Sequence, residues 1–187
     1  MYVLFEEDGG FKAGSVLADN DASLQVELPS GKRSKIKAAT VLLRFEKPGA
    51  GALLEQAAPL AEAIEADFLW ECATDGEFSF LDFACDYYGH EPAPVEASAV
   101  LLALHAAPVY FHRKGKGRFR KAPPEILAAA LAGLEKKRQQ ALAMEGWVAD
   151  LKNFRLPPEI APLTDALLYA ADRNRPETKA FEAACAE

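Results

Sequence analysis

Residues 109–121 read VYFHRKGKGRFRK, a run in which lysine and arginine alternate with glycine and aromatic residues. Its centre, KGKG at 114–117, predicts a tight turn, because glycine adopts positive φ angles at little steric cost. The residues on either side then form the two strands of a β-hairpin with a cationic tip. No acidic residue lies between Glu96 and Glu125, so no carboxylate that is close in sequence neutralises this charge.

Helical patterns precede the hairpin in the order that is typical of a winged helix-turn-helix. Ser79 is an N-cap candidate for a helix over 80–88, which Gly89 ends. A further helix over 95–106 leads into the hairpin. Two helices followed by a basic hairpin predict a winged helix over 52–122.

The helix in the recognition position, 95–106, lacks the side chains that read bases. It carries Glu96, Ser98 and His105 but no lysine or arginine. Helices that read DNA bring Arg, Lys, Asn or Gln to the base edges. Sequence-specific DNA recognition is therefore not expected.

The N-terminal region, residues 1–47, predicts a small β-barrel of the SH3-like kind. Turn-forming sequences such as EDGG at 7–10 and PSGK at 29–32 separate short segments of alternating polarity. Strands this short cannot form an ordinary sandwich, which favours a strongly bent barrel. The strands are predicted at 2–6, 11–18, 23–28, 33–37 and 41–45.

The C-terminal region predicts helices that pack on the winged helix. Pro123 and Pro124 suit the start of a long helix that reaches about as far as Lys152. Two shorter helices are expected at 159–171 and 176–185. The predicted fold class is α+β: a small N-terminal SH3-like β-barrel, then a mainly helical winged-helix domain with a basic β-hairpin wing. The predicted domains are 1–47, 52–122 and 123–187.

Charge is segregated along the chain, whose formal net charge is −7. No lysine or arginine lies between Lys47 and Arg113, whereas acids recur from Glu55 to Glu96. An acidic protein with this distribution can still present a basic face to a nucleic acid. The alternative is that the acidic stretch is simply a solvated helical surface.

The basic residues fall in two candidate patches for nucleic-acid phosphates, and the hairpin rings have two interpretations. Aromatic rings can stack on unpaired bases, but rings on a hairpin also anchor it to the helices beneath. Anchoring is favoured for Phe111 and Phe119, and Tyr110 is retained as a contact. A solvated basic turn is the alternative for the cations. The predicted RNA-binding residues are Lys32, Arg33, Lys35, Lys37, Tyr110, Arg113, Lys114, Lys116, Arg118, Arg120 and Lys121.

No catalytic or metal-binding pattern is present in the sequence. The three histidines lack His or Cys partners at zinc-ligand spacing, and no phosphate-binding glycine loop precedes a helix. No cofactor and no catalytic residue is therefore expected in this chain. The three cysteines form no CxxC motif and are expected to be reduced, mostly buried thiols of a cytoplasmic protein. No apolar run predicts a membrane partner.

Three segments together carry a family resemblance: YVLFEEDGGFKAGSVL (2–17), GKRSKIKAATVLLRF (31–45) and YFHRKGKGRFRKAP (110–123). The chain resembles the N-terminal region of bacterial exoribonucleases of the ribonuclease II (RNB) family. It is most similar to the branch in which an SH3-like barrel and a winged helix replace the cold-shock domains. The resemblance covers essentially the whole sequence and includes no catalytic motif.

The resemblance implies a role in RNA degradation. Members of the family are processive 3′→5′ exonucleases that use Mg²⁺ held by aspartates in the RNB domain. This chain lacks such an aspartate set, so it is expected to be an N-terminal fragment that ends before the catalytic domain. Its implied partners are single-stranded RNA and that missing domain, and Mg²⁺ belongs to the latter. A protein-interaction or structural module and a DNA-binding regulator are the alternatives.

Overall fold

The computed structural model of the chain describes residues 1–169 and 171–186. The chain is α+β and forms two compact units, Met1–Leu127 and Ala128–Glu187. The first unit holds all the strands of the described chain and the candidate site. The three predicted domain ranges stay a prediction.

An antiparallel sheet of five strands opens the first unit, in the order β4-β3-β2-β1-β5. The predicted strands are confirmed, and their ends differ from the prediction by at most one residue. The predicted closed barrel is wrong, because the sheet ends at β4 and β5, which do not pair with each other. The strands are β1 (Tyr2–Glu7), β2 (Gly10–Asp19), β3 (Ser23–Glu27), β4 (Arg33–Lys37) and β5 (Val41–Phe45).

Both faces of this sheet are buried at strand β1. Successive side chains of a strand point to opposite faces. Val3 and Phe5 accordingly join a small apolar cluster with residues of β3 and β4. Leu4 faces the other way and joins the larger core that the helices share with the sheet. One hydrophobic core thus connects the N-terminal sheet with the helices that follow it.

Four helices and a second, three-stranded sheet complete the first unit. The sheet has the order β6-β8-β7, so the β8 strand of the predicted hairpin is central and β7 is an edge. The elements are α1 (Ala50–Glu62), α2 (Ala66–Cys72), β6 (Glu77–Ser79), α3 (Phe80–Tyr88), α4 (Pro94–Ala106), β7 (Phe111–Gly115) and β8 (Arg118–Lys121).

Helix α3 has the predicted ends. The Ser79 hydroxyl accepts a hydrogen bond from the Leu81 amide at 3.2 Å, which satisfies one of the free N–H groups of the first turn. Gly89 adopts φ +72° and stops the helix in a left-handed conformation. These two residues fix the length of the helix that supports the hairpin turn.

Helix α4 lies at the centre of the first unit. Its buried residues lie all around the helix, which is the pattern of a core helix and not of a surface one. Helices α1, α2 and α3 and strand β7 all contact it. The helix in the predicted recognition position is therefore part of the core.

The second unit is helical in the described residues. Helix α5 (Pro124–Lys152) begins in the first unit and continues into the second without a break at Gly133 or Gly146. A 3₁₀ turn (Ala161–Leu163), α6 (Thr164–Tyr169) and α7 (Pro176–Cys185) follow. The helix predicted over 159–171 starts later than expected, because Pro162 cannot donate a helical hydrogen bond. Its residue 170 lies outside the described residues.

The prediction that the cysteines are mostly buried is wrong. Cys72, Cys85 and Cys185 are all exposed free thiols. Cys72 and Cys85 lie on α2 and α3. Their neighbours Leu69 and Ala84 fill the core positions instead.

Candidate RNA-binding surface

The hairpin tip is built by three consecutive residues with positive φ. Gly115, Lys116 and Gly117 have φ values of +83°, +52° and +68°. A two-residue loop with positive φ at both positions matches the right-handed twist of the flanking strands. The pairing shifts between Arg113 and Gly115, so Lys114 is the extra residue of a bulge. Lys114 and Lys116 are therefore both exposed at the tip.

The two faces of the three-stranded sheet have different compositions. Phe111 and Phe119 are 1% and 2% exposed, and Phe78 of β6 packs against both of them. The opposite face, called the outer face here, carries Arg118 and Arg120, both exposed, with His112 opposite Arg120. The anchoring interpretation of Phe111 and Phe119 is confirmed. The outer face presents cations without aromatic rings for stacking.

Three of the six hairpin cations have acidic partners within the protein: Arg113, Arg118 and Lys121, whose ammonium lies 3.0 Å from Asp75. Arg113 pairs with Glu6 of β1, and its guanidinium also lies 2.8 Å from Nε2 of His105. The Arg118 side chain contacts the Glu77 carboxylate at 2.5 Å. These partners are distant in the sequence, so the run of basic residues did not reveal them.

Lys121 and Tyr110 tie the base of the hairpin to α2. The Lys121 ammonium donates to the Ala73 carbonyl at 2.8 Å and lies 5.2 Å from the centre of the Trp70 ring. The Tyr110 hydroxyl donates to Asp67 at 2.8 Å, and this bond raises the pKa of Tyr110 together with its partial burial. Neither side chain is available as a free contact for a ligand, and the hairpin is held in a fixed orientation.

Lys114, Lys116 and Arg120 form no ion pair with any described residue, and all three are exposed. We call these three residues the free cations of the hairpin. Glu77 lies opposite Arg120 on the neighbouring strand, but its carboxylate contacts Arg118. The free cations are the side chains that an external polyanion can neutralise without breaking an internal contact.

The second predicted patch lies on the exposed face of an edge strand. Lys35 and Lys37 alternate with the buried Ile36, as the sequence pattern predicts, and Lys32 precedes the strand. Arg33 contacts Glu27 on the neighbouring strand at 3.2 Å. Charged residues on an edge strand also prevent its pairing with other chains, so this patch has a second physical explanation.

The two patches belong to opposite edges of the five-stranded sheet. Arg113 pairs with β1, and a β-carbon built at Gly117 would lie 3.5 Å from Leu42 of β5. Strand β4 is at the other edge. The three residues Ala38–Thr40 connect β4 to β5, so these two edge strands approach each other at that connection although they do not pair.

Every polar side chain of α4 already has a partner inside the protein. The Glu96 carboxylate accepts from the Ala93 amide at 2.8 Å, which closes the start of the helix. Ser98 is 0% exposed, and its hydroxyl donates to the Pro94 carbonyl at 2.7 Å. His105 contacts Arg113 and packs edge-on against Phe11. Helix α4 cannot enter a nucleic-acid groove in this fold.

Within residues 1–169 and 171–186, no three His, Cys, Asp or Glu side chains are close enough together to hold a metal ion. The Asp67 carboxylate, which shares a helical face with Glu71, is engaged by Tyr110. No helix of the same residues is long and apolar enough to cross a membrane.

Comparison of the chain with protein-family models, with curated proteins and with solved structures returned no match. The assignment of function therefore depends on the geometry of the surface. The resemblance to the RNB family stays a prediction.

Proposed function

We propose that the first unit binds single-stranded RNA through the outer face and tip of the hairpin. The observation that carries the proposal is the set of free cations, Lys114, Lys116 and Arg120, on an anchored hairpin. Phosphate contacts supply the sequence-independent part of nucleic-acid affinity. Because the hairpin is anchored, its backbone needs little ordering when RNA binds.

The order of elements supports a winged-helix assignment for this region. Strand β6 and helices α3 and α4 precede the hairpin, and β6 joins the hairpin as its third strand. The preceding sheet has its own apolar cluster and a 3₁₀ turn before β5, which supports kinship with SH3-like modules. The proposed use of the wing differs from DNA reading, because α4 is buried.

A single strand is proposed because of the resemblance to the RNB exoribonucleases, and the burial of α4 removes one of the two ways of reading a duplex. A duplex reader inserts a helix or a β-ribbon into a groove. The buried α4 is unable to do this, and the hairpin outer face offers cations for a backbone. RNA in place of DNA follows from the resemblance to the RNB exoribonucleases.

The proposed module guides RNA towards chemistry that takes place outside this chain. In the RNB-type arrangement, a Mg²⁺-dependent catalytic domain hydrolyses the RNA from its 3′ end, and the N-terminal region grips the strand. The residues described here supply binding and no catalytic group. This role belongs to the cytoplasm, where the RNA substrates of such enzymes occur.

The proposal is tested by titrating the chain against a labelled single-stranded oligouridylate and measuring fluorescence anisotropy. If each free cation neutralises one phosphate, log K falls with log salt at a slope of about −2. A slope near −3.5, which corresponds to about five phosphates, indicates that paired arginines also exchange their carboxylates for phosphate. An absence of binding at about 50 mM salt contradicts the proposal.

Glu77→Gln is expected to increase RNA affinity about threefold at low salt. The substitution removes the carboxylate that holds Arg118 and so adds a fourth free cation to the outer face. The salt slope becomes steeper by about 0.7. The measurement is the same anisotropy titration.

The matched control for this variant is Glu62→Gln, which removes an exposed charge from α1. Glu62 has no ion pair with a described residue. Equal gains in both variants would mean that net charge alone sets the affinity. Arg118 would then have no specific contact with RNA.

A protein-interaction module that never contacts RNA is the second candidate. The observation that favours it is the net charge of −7 together with a buried α4. It predicts no RNA binding at low salt, and it predicts that a catalytic domain added in trans binds this chain. A DNA-binding regulator would instead prefer a defined duplex in the same titration.

A further inference from the structure

A row of four aromatic rings on α2, at the end of α3 and just after it shares no residue with the proposed RNA site. Phe68 contacts Tyr87, Tyr87 contacts Tyr88 and Tyr88 contacts His90, with ring centres 6.0, 5.0 and 5.8 Å apart. We call these four residues the aromatic row. Phe68 is 51% exposed and His90 is exposed, while both tyrosines are half-buried.

Packing within the protein does not account for the exposure of Phe68. Leu69 and Trp70 on the same helix are directed inward: Leu69 is fully buried, and the Trp70 indole donates to the Ala122 carbonyl at 2.8 Å. Phe68 instead exposes half of its surface to solvent, and its ring packs edge-on against the Tyr87 ring. A large exposed ring in contact with further rings is a frequent component of binding surfaces.

Four carboxylates lie close in sequence to members of the aromatic row. Residues three apart are neighbours on a helix, so Glu65 and Glu71 flank Phe68. Asp86 precedes Tyr87, and Glu91 follows His90. All four acids are exposed and form no ion pair with any described residue. This part of the sequence, from Lys47 to Arg113, contains no lysine or arginine that could neutralise them.

The combination of aromatic rings and carboxylates favours a ligand with positively charged groups that can stack on the rings. An aromatic face attracts a cation, and guanidinium stacks on it better than ammonium does. The four carboxylates add charge complementarity for the same group. They repel phosphates, which makes this surface unsuitable for stacking RNA bases despite its rings.

We propose that the aromatic row and its four carboxylates bind an arginine-containing segment of a partner protein. The guanidinium groups stack on Phe68 and the exposed edges of the tyrosines, and Glu65, Glu71, Asp86 and Glu91 pair with them. This surface is independent of the free cations of the hairpin.

The test uses a short labelled peptide in which arginine alternates with glycine, and the same peptide with lysine in place of arginine. The arginine peptide is expected to bind more tightly than the lysine peptide. Phe68→Ala should weaken binding of the arginine peptide by about threefold or more and remove most of the difference between the two peptides. Glu71→Gln should weaken both peptides, since it removes charge and leaves the ring.

Phe154→Ala is the matched control, because Phe154 is an exposed phenylalanine of the second unit. It should leave peptide binding unchanged. Equal binding of the arginine peptide to Phe68→Ala and to the unmodified chain overturns the proposal. Loss of oligouridylate binding in Phe68→Ala, with peptide binding intact, also overturns it and assigns the row to RNA. Failure of RNA binding in all variants with peptide binding retained rejects only the proposed RNA function.

Discussion

Replacing Lys114, Lys116 and Arg120 together with glutamine is expected to lower the affinity for single-stranded RNA by about tenfold to a hundredfold at low salt. The three side chains are exposed and unpaired among the described residues, so their removal breaks no internal ion pair. Each lost phosphate contact reduces the salt slope by about 0.7, so the slope should approach zero. Anisotropy titrations between about 50 and about 200 mM salt measure both quantities.

The chain offers a control with the same change in net charge. Lys136, Lys137 and Arg138 form a second group of three cations, on α5. Their replacement with glutamine should leave most of the affinity and the slope intact. If the α5 variant loses as much affinity as the hairpin variant, the binding is a general effect of charge and the hairpin is not the site.

The melting temperature of the hairpin variant should change little. Surface substitutions away from core and cap positions alter stability by about 0.5 kcal/mol or less. A large loss of stability would mean that the affinity change reports unfolding. In that case single substitutions at Lys114, which is the bulged residue at the tip, separate the two effects.

Local patterns in the sequence were sufficient to predict the strands and the hairpin. The strand Arg33–Lys37 follows from strict alternation, and the KGKG turn follows from glycine at positions that need positive φ. The burial of Phe111 and Phe119 follows from the same period of two. Each of these features depends on residues that are neighbours in the sequence.

The failure of the sheet to close into a barrel and the size of the basic surface could not be predicted in this way. Barrel closure depends on whether two edge strands meet, and no local pattern encodes that meeting. The partners of Arg113 and Arg118 are Glu6 and Glu77, which the fold brings to the hairpin from other strands. A count of charges in the sequence therefore overestimates the cations available to a ligand.

The burial of α4 shows why order of elements does not determine function. Its sequence, rich in alanine and leucine, indicated only the absence of base-reading side chains. The structure adds that α4 is covered by α1, α2, α3 and β7. Because α4 is covered by these elements, most of its side chains are not exposed to a ligand. Any recognition by this region then depends on the exposed hairpin.

Gly117→Ala is expected to reduce the free energy of unfolding by about 2–4 kcal/mol. A β-carbon at this position would lie 2.7 and 2.8 Å from two ring carbons of Phe80, which is 2% exposed. The residue also has φ +68°, a conformation that costs an L-residue about 1–2 kcal/mol. The Phe80 amide donates to the Gly117 carbonyl at 3.0 Å, so the backbone cannot shift without losing that bond as well. Denaturant unfolding monitored by circular dichroism measures the change.

Gly115→Ala separates the two causes of this loss. Gly115 has φ +83°, but a β-carbon there would meet no atom within 4 Å. This variant should therefore lose only the conformational part, about 1–2 kcal/mol, and keep the packing of Phe80. The remaining difference between the two variants, about 1–2 kcal/mol, measures the clash with Phe80. Equal losses would mean that the Phe80 ring moves freely away from the turn. The hairpin would then not be fixed by the helix beneath it, and the preorganisation that supports RNA binding at its tip would be contradicted.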